Sequence, residues 1–539
     1  MKKILGLLLI AIVVLAGCSG SKDPLVFKRA TSEVEGLDIS QASYSQSFDL
    51  YEAIFEGLYV INKDGEIEPG GATELPMISE DGMTYTIKLK DNVKWVDSSG
   101  EEKGTVTAND YIFAWKRMVD PETGASYSYI YDMIEGYEEA AAGDLDKLGV
   151  KALDDTTIEI KLAYPAPYFT SMLAFGSFNP IAEESVKAAT DAGDTYAATE
   201  KTVWYNGPFY VEKFDKTGTI KTVKNEKYWD VANVTLNGVE YVFMKDSNTQ
   251  FTAFQSNEVD YATIPSPEQH SVAKESFPES LKERKEAGTM VLYFNNESGD
   301  TTNVNLRKAI QSSINTAEIA DNIYGGGTKA ADTFVPGELT ESAYDVNFKD
   351  LTGSLSAFDI EAGKAYLAKA EEELGKKANE MNLTFLLASG DTNKTLAEYI
   401  QSQLTANLGI NVTIEQLDQS AYSDKRNSGN FDIVYGGWSS DYGDAGNFLG
   451  LFQSAFINGL NTSRYSSTDF DEAFKKANQE KDPVSRNAQF AVLETRIVKD
   501  EAVLVPLVKR GKDVLVSPKF NFYTDPVYKV SSKFITVNE

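Results

Sequence analysis

The 539-residue chain has one cysteine, Cys18, and one histidine, His270. An internal disulfide and a multi-thiolate metal site are therefore excluded, and a Ser-His-Asp triad or histidine-rich metal site would have to be built around a single residue. That residue follows the polar run Pro265-Ser266-Pro267-Glu268-Gln269 and reads as an exposed loop histidine. Positive charge is also scarce, at 51 Lys+Arg against 81 Asp+Glu, a net charge of −30. This argues against a nucleic-acid partner and for a well-solvated surface on which most carboxylates do no chemistry. Beyond the amino terminus no long apolar run occurs.

What is present begins with Lys2 and Lys3, followed by the apolar run Ile4 to Val14. It is too short for a stable bilayer anchor and predicts a signal peptide over 1–17. Leu15-Ala16-Gly17-Cys18 resembles the lipobox of bacterial lipoproteins. That resemblance implies cleavage before Cys18, a diacylglycerol on its sulfur and an outward-facing protein held at the cell membrane, with 18–23 as lipidated cysteine and tether. A lipidated Cys18 leaves no thiol nucleophile. Aromatics at 11% and apolar residues at 42% indicate a fully folded body, and the length suggests two to four domains.

Alternation predicts strands at Met83–Lys90, Thr156–Leu162 and Ile410–Ile414, a buried strand is read at Leu383–Leu387, and further strands at Val239–Phe243, Val291–Asn296, Val503–Leu507 and Asp513–Val516. Helical spacing predicts helices over Ser47–Glu56, after a capping box at Thr107-Ala108-Asn109-Asp110, over Asp359–Leu374 and over Thr392–Leu408. Gly325-Gly326-Gly327 ends a helix and matches no phosphate loop. The succession of strand, helix and strand after Asp359 indicates an α/β lobe with parallel strands. Into this lobe falls Tyr435-Gly436-Gly437-Trp438-Ser439-Ser440-Asp441-Tyr442, where a strand dissolves into glycine, aromatic and aspartate. Read locally, it is either a glycine-rich turn over a core tryptophan or a strand end facing a ligand, its aspartate turned toward a cation.

The order and spacing of several motifs resemble the peptide-binding extracytoplasmic receptors of ABC importers, the solute-binding protein family 5. The motifs run from Phe55-Glu56-Gly57-Leu58, Trp95, Val106–Asp110 and Trp115 through Asn206-Gly207-Pro208-Phe209, Val304–Ile310 and Tyr324-Gly325 to Trp438–Tyr442. The resemblance implies a periplasmic-binding-protein-like α/β fold of three lobes, two of them large and joined by a hinge, with ligand enclosed between them. Lobe I would comprise 24–60, 201–286 and 509–539, lobe II 61–200, and lobe III 287–508. Asp441 would pair with a peptide's α-ammonium group, with Gly437, Trp438 and Ser439 on one side and Ser43, Tyr44 and Ser45 on the other holding its backbone as an added strand. Asn295, at a strand end, is a further candidate. Gly443-Asp444-Ala445-Gly446 departs from the more proline- and glutamate-rich loop of the family.

The function implied is a lipid-anchored, monomeric receptor that captures oligopeptides and delivers them to ABC permease subunits, without cofactor, metal or catalysis. A peptide pheromone receptor would look the same, and a receptor of this fold for haem, a nickel chelate or an oligosaccharide is a further reading. A glycosidase using Asp441 with Asp444, or Glu138 with Glu139, is the enzyme alternative, although close acidic pairs are inevitable in so acidic a chain.

Overall fold

Of the 539 residues, the computed structural model describes 25–538, apart from 33, 43, 44, 265, 341–345, 458, 526 and 528. The leader, Cys18 with its tether, and the expected contacts Ser43 and Tyr44 lie outside the described residues.

Ten strands form one sheet: β1 (Val26–Thr31), β2 (Phe209–Lys213), β3 (Thr219–Lys224), β4 (Gly238–Phe243), β5 (Tyr261–Thr263), β6 (Leu281–Phe294), β7 (Asn382–Ala388), β8 (Asn411–Leu417), β9 (Ile433–Ser439) and β10 (Leu504–Val516). Their order is β2-β3-β4-β1-β5-β10-β6-β9-β7-β8. At one end β1 runs parallel to both β4 and β5, and the helix Ser247–Gln255 joins those two. At the other end β7 is parallel to both β8 and β9, as the pattern after Asp359 predicts, and helices Ile360–Leu374 and Asp391–Leu408 precede β7 and β8. β9 is antiparallel to β6 on its other side.

Both halves of the sheet share the two long strands. Leu281–Lys285 pairs with Gly511–Leu515, Thr289–Tyr293 pairs with Leu504–Lys509, and between them 286–288 of β6 face Arg510 alone. A Cβ on Gly288 would lie 2.7 Å from both the Trp438 carbonyl oxygen and Arg510 Cδ. Only glycine fits this crossing. The sequence pattern predicts only short strands here, from 291 and at 503–507 and 513–516, where the structure has two long ones. In the structure β10 passes from buried at Leu504–Val508 through an uncovered middle to buried again at Val514–Val516. The charged run is strand that is half-buried to exposed rather than core.

A separate four-stranded antiparallel sheet, in the order Met77–Ile78, Thr84–Lys88, Thr157–Lys161, Val150–Asp154, belongs to the segment between β1 and β2. The helix Ala108–Val119 starts with the expected box, the Thr107 backbone N–H donating to the Asp110 carboxylate at 2.7 Å. Its Trp115 is fully buried and donates to the Phe178 carbonyl at 2.9 Å. Glycines 325–327 all have positive φ, as expected at a helix end.

One expectation is overturned here. His270 sits in the helix Pro267–Ser276, capped by Ser266, and places Nε2 2.7 Å from Asp513 Oδ2 rather than standing free in a loop. Among the described residues no helix is long and apolar enough to cross a membrane.

Candidate ligand-binding cleft

β9 reaches its end beside the crossing of the long strands. Gly437 is required by that neighbour: a Cβ there would meet the Thr289 carbonyl oxygen at 2.6 Å and Met290 Sδ at 2.7 Å. Pairing continues through Trp438 with Thr289 and Ser439 with Gly288, and the Ser440 N–H donates to the Ala287 carbonyl at 2.8 Å. On the opposite edge β7 pairs only with Ile433 and Val434. Among the described residues, Gly436–Ser439 therefore has one strand partner.

Beyond this edge the chain turns so that Asp441 faces inward, 7% exposed. Asn447 organises the turn. Its Oδ1 accepts from Trp438 Nε1 (3.1 Å) and the Asp441 backbone N–H (3.0 Å), and its Nδ2 donates to Asp441 Oδ2 (3.2 Å). From across the cleft Tyr127 donates its hydroxyl to Asp441 Oδ1 at 3.1 Å and Tyr129 to Oδ2 at 3.4 Å. Burial pushes the Asp441 carboxyl up to about 6, against the lowering effect of these three donors. Among the described residues no lysine, arginine or histidine pairs with it, so a desolvated carboxylate lacks a cation.

Asp441 closes one end of a cavity of about 410 Å³ that lies between the two halves of the large sheet. Phe48, Phe175 and Tyr127 wall that end, with ring centroids 4.8 Å apart for Phe48–Phe175 and 5.7 Å for Phe48–Tyr127. Farther along the charges are dense. Asp49 takes Arg29 at 2.5 Å and Lys529 at 3.0 Å, and Glu286 takes Arg510 at 2.8 Å and the Ser439 hydroxyl at 2.5 Å. Although burial opposes it, these cations hold Asp49 far below the usual carboxylate range. The same balance, with Arg510 the foremost cation, brings Glu286 down to about 2. Burial pushes the Glu52 carboxyl, which has no ion pair among the described residues, up to about 8. No group of three His, Cys, Asp or Glu among the described residues is arranged to hold a metal.

The structure thus brings Gly437, Trp438, Ser439, Asp441 and Ser45 to one cavity; Ser45 accepts from Lys529 Nζ at 2.8 Å. Asn295 is elsewhere, and that expectation is corrected. Because β6 and β9 are antiparallel, Asn295 meets the start of β9, its N–H donating to the Asp432 carbonyl at 2.9 Å, at the far end from Ser439. It is fully buried; its Nδ2 donates to Gly429 and Phe431 carbonyls and its Oδ1 accepts from the Glu297 and Ser298 N–H groups. Asp444 is also occupied, in a bidentate, fully buried pair with Arg486 at 2.8 and 3.0 Å. Glu138 and Glu139 are exposed and do not line the cavity. Neither acidic pair provides two free carboxylates facing one space. Sequence reasoning missed Tyr127, Tyr129, Asn447 and the charged floor, although the alternating tyrosines at 127, 129 and 131 were a visible signal.

Two α/β bodies sharing two strands, closed over a cavity with an uncompensated carboxylate, define the class of extracytoplasmic binding proteins. The chain belongs to the bacterial extracellular solute-binding proteins, family 5, whose middle region matches residues 66–459. It is 33% identical over 481 residues to the oligopeptide-binding protein OppA of Bacillus subtilis, covering 86% of this chain and 84% of that one. It is 29% identical to the periplasmic oligopeptide-binding protein OppA of Salmonella typhimurium, covering 93% and 90%. Among solved structures, Listeria monocytogenes OppA bound to peptide superposes with a TM-score of 0.80 at 27% identity, covering 96% of this chain and 100% of that one. The fold is accordingly periplasmic-binding-protein-like.

Proposed function

We propose that this protein is an extracytoplasmic receptor that captures oligopeptides by their free amino termini and delivers them to an ABC permease. The observation that carries the reading is Asp441, a desolvated carboxylate facing the cavity with neutral donors and no cation. An α-ammonium group supplies the missing charge where water is excluded, which makes the pair strong. The open edge of Gly436–Ser439 supports peptide capture as an added strand, with main-chain bonds indifferent to side-chain identity. Relatives whose names state oligopeptide binding support the same ligand class.

The lobe boundaries enter this reading as proposed: 24–60 with 201–286 and 509–539, 61–200, and 287–508. Cys18 is proposed as the lipidated residue that holds the receptor at the membrane, and Cys18→Ser should release it into the medium. Calorimetry with one short peptide in free and N-acetylated forms tests the central claim. The acetylated form should bind at least tenfold more weakly, and equal affinities would overturn the role of Asp441. Mass spectrometry of ligand released by denaturing the purified protein should yield peptides.

A further inference from the structure

The chain's only histidine stands outside the cavity, where the two halves of the molecule meet. His270 belongs to the helix Pro267–Ser276 between β5 and β6, whose Ala273 is buried with Ala30 of β1 and Ala262 of β5. Facing it is the turn Gly325–Gly327, which follows Tyr324, a residue packed against the core that holds Leu383 of β7 and Val412 of β8. Between helix and turn lies Asp513 of β10, its carboxylate 2.7 Å from His270 Nε2. Only 19% and 18% of the two side chains are exposed.

The glycine turn rests on this pair. A Cβ on Gly325 would lie 2.6 Å from Pro267 Cγ, one on Gly326 3.6 Å from His270 Cδ2, and one on Gly327 3.6 Å from both Asp513 carboxylate oxygens. All three glycines have positive φ, and the Asp513 N–H donates to the Gly326 carbonyl at 3.4 Å. Imidazole and carboxylate together form the seat on which the β7 half meets the β1 half.

The surrounding charges favour a cation at that seat. Glu283 of β6 pairs in register with Asp513, so the two carboxylates stand side by side on one face, where like charges repel. Lys282, Arg284 and Lys512 alternate onto the other face, and Arg284 lines the cavity. The remaining elements contribute Lys274, one turn along the helix, and Lys329, after the glycine turn. Among the described residues, the ion pair of Asp513 is with His270. A neutral imidazole gives Asp513 a hydrogen bond; a protonated one adds a full charge and offsets the repulsion from Glu283. Imidazole changes charge between about pH 5 and 8. The added stabilisation is therefore present in acid and is lost as pH rises through that range.

We propose that His270 is a proton-operated clasp: in acid its ion pair with Asp513 firms the seat of the Gly325–Gly327 turn and holds the halves in the arrangement that encloses the cavity. At alkaline pH the clasp slackens. It acts on the halves themselves, whatever the cavity holds. It also opposes the titration of Asp441, since acid weakens that carboxylate as an anchor while the clasp retards the opening through which a ligand leaves.

The test needs no ligand. Proton NMR of the whole protein sees one histidine, so its ring C–H signals report the His270 titration directly. Asp513→Asn should lower the midpoint by about one pH unit or more, a tenfold loss of proton affinity. Small-angle X-ray scattering of the ligand-free protein from about pH 8 to 5 reads the halves over the imidazole's range. The unaltered protein should contract on acidification. His270→Gln keeps a neutral donor toward Asp513, so it should match the unaltered protein at the alkaline end and contract less in acid. Asp441 titrates in both proteins, and only the difference between their curves bears on the clasp. A His270 midpoint indifferent to Asp513→Asn, or the same radius for both proteins at every pH, overturns the proposal. Failure of peptides to bind would overturn the peptide reading and leave both measurements unaffected.

Discussion

Asn447 and Asp441 are bonded to each other twice: the Asn447 carbonyl oxygen accepts the Asp441 backbone N–H at 3.0 Å, and its amide nitrogen donates to the Asp441 carboxylate at 3.2 Å. The same oxygen also accepts from the Trp438 indole, so one side chain fixes both the anchor and the wall beside it. Asn447→Ala removes all three bonds. It should weaken peptide binding by about tenfold or more, on the scale of about 1.5–3 kcal/mol for a lost hydrogen bond to a charged group, and calorimetry reads this directly. Unchanged affinity would mean that the turn holds Asp441 without it.

Asp441 also predicts a pH dependence. Its carboxyl titrates at about 6, raised by burial, and an ammonium pairs only with the ionised form. Affinity should be flat above pH 7 and fall as pH drops through 6, losing close to tenfold per unit below that.

The same shift acts on the ligand-free protein with the opposite sense. A carboxyl raised from 3.8 to about 6 binds its proton more tightly in the folded state than in the unfolded one. Its contribution to stability therefore declines as pH rises from about 4 to 6 and stays unfavourable above, by about 2–3 kcal/mol at most. Asp441→Asn should raise the thermal midpoint of the empty receptor by a few degrees at pH 8 while abolishing peptide binding. A variant that melts earlier at pH 8 would show that Asp441 is structural.

Tyr168 and Tyr442 stack across the cleft with centroids 4.8 Å apart and planes 12° from parallel. An aromatic pair of this kind contributes about 0.5–1.5 kcal/mol, and it ties the segment before β2 to the turn after β9. Tyr168→Ser should speed peptide dissociation about two- to tenfold in stopped-flow measurements.

The Asp444–Arg486 pair is wholly buried, and the Arg486 guanidinium lies 5.0 Å from the Tyr168 ring centroid. Asp444→Ala leaves a buried guanidinium without its carboxylate and should cost about 3–5 kcal/mol, read as a lower denaturant midpoint.

Much of the fold was legible wherever one face of a strand is covered. Thr84–Lys88 alternates because a core lies on one side, and Ile433–Tyr435 is apolar throughout because cores lie on both. The motif residues were legible for a related reason, as brackets between distant segments: the Asn206 side chain exchanges bonds with the Glu56 backbone, and Arg307 holds the Thr301 and Ala502 carbonyls. What escaped was the strand interior exposed to the cavity. Of the hydrophilic stretches Lys282–Glu286 and Lys509–Asp513, Arg284, Glu286 and Arg510 line the cavity, and hydrophilic strand imitates loop. Asn295 was misplaced because its position depends on β6 and β9 running in opposite senses. Tyr127 and Asp441 are 314 residues apart, and no local pattern joins them.

The crossing of β6 and β10 has one more consequence. Under the proposed function, Arg284, Glu286 and Arg510 would be both cavity lining that faces the ligand and part of the two strands that join the halves of the molecule. Recognition and pivot would then be written in the same few residues. A lineage altering this floor to favour a new peptide would alter the stiffness of its own hinge, so selectivity and release rate should drift together rather than evolve as separate traits.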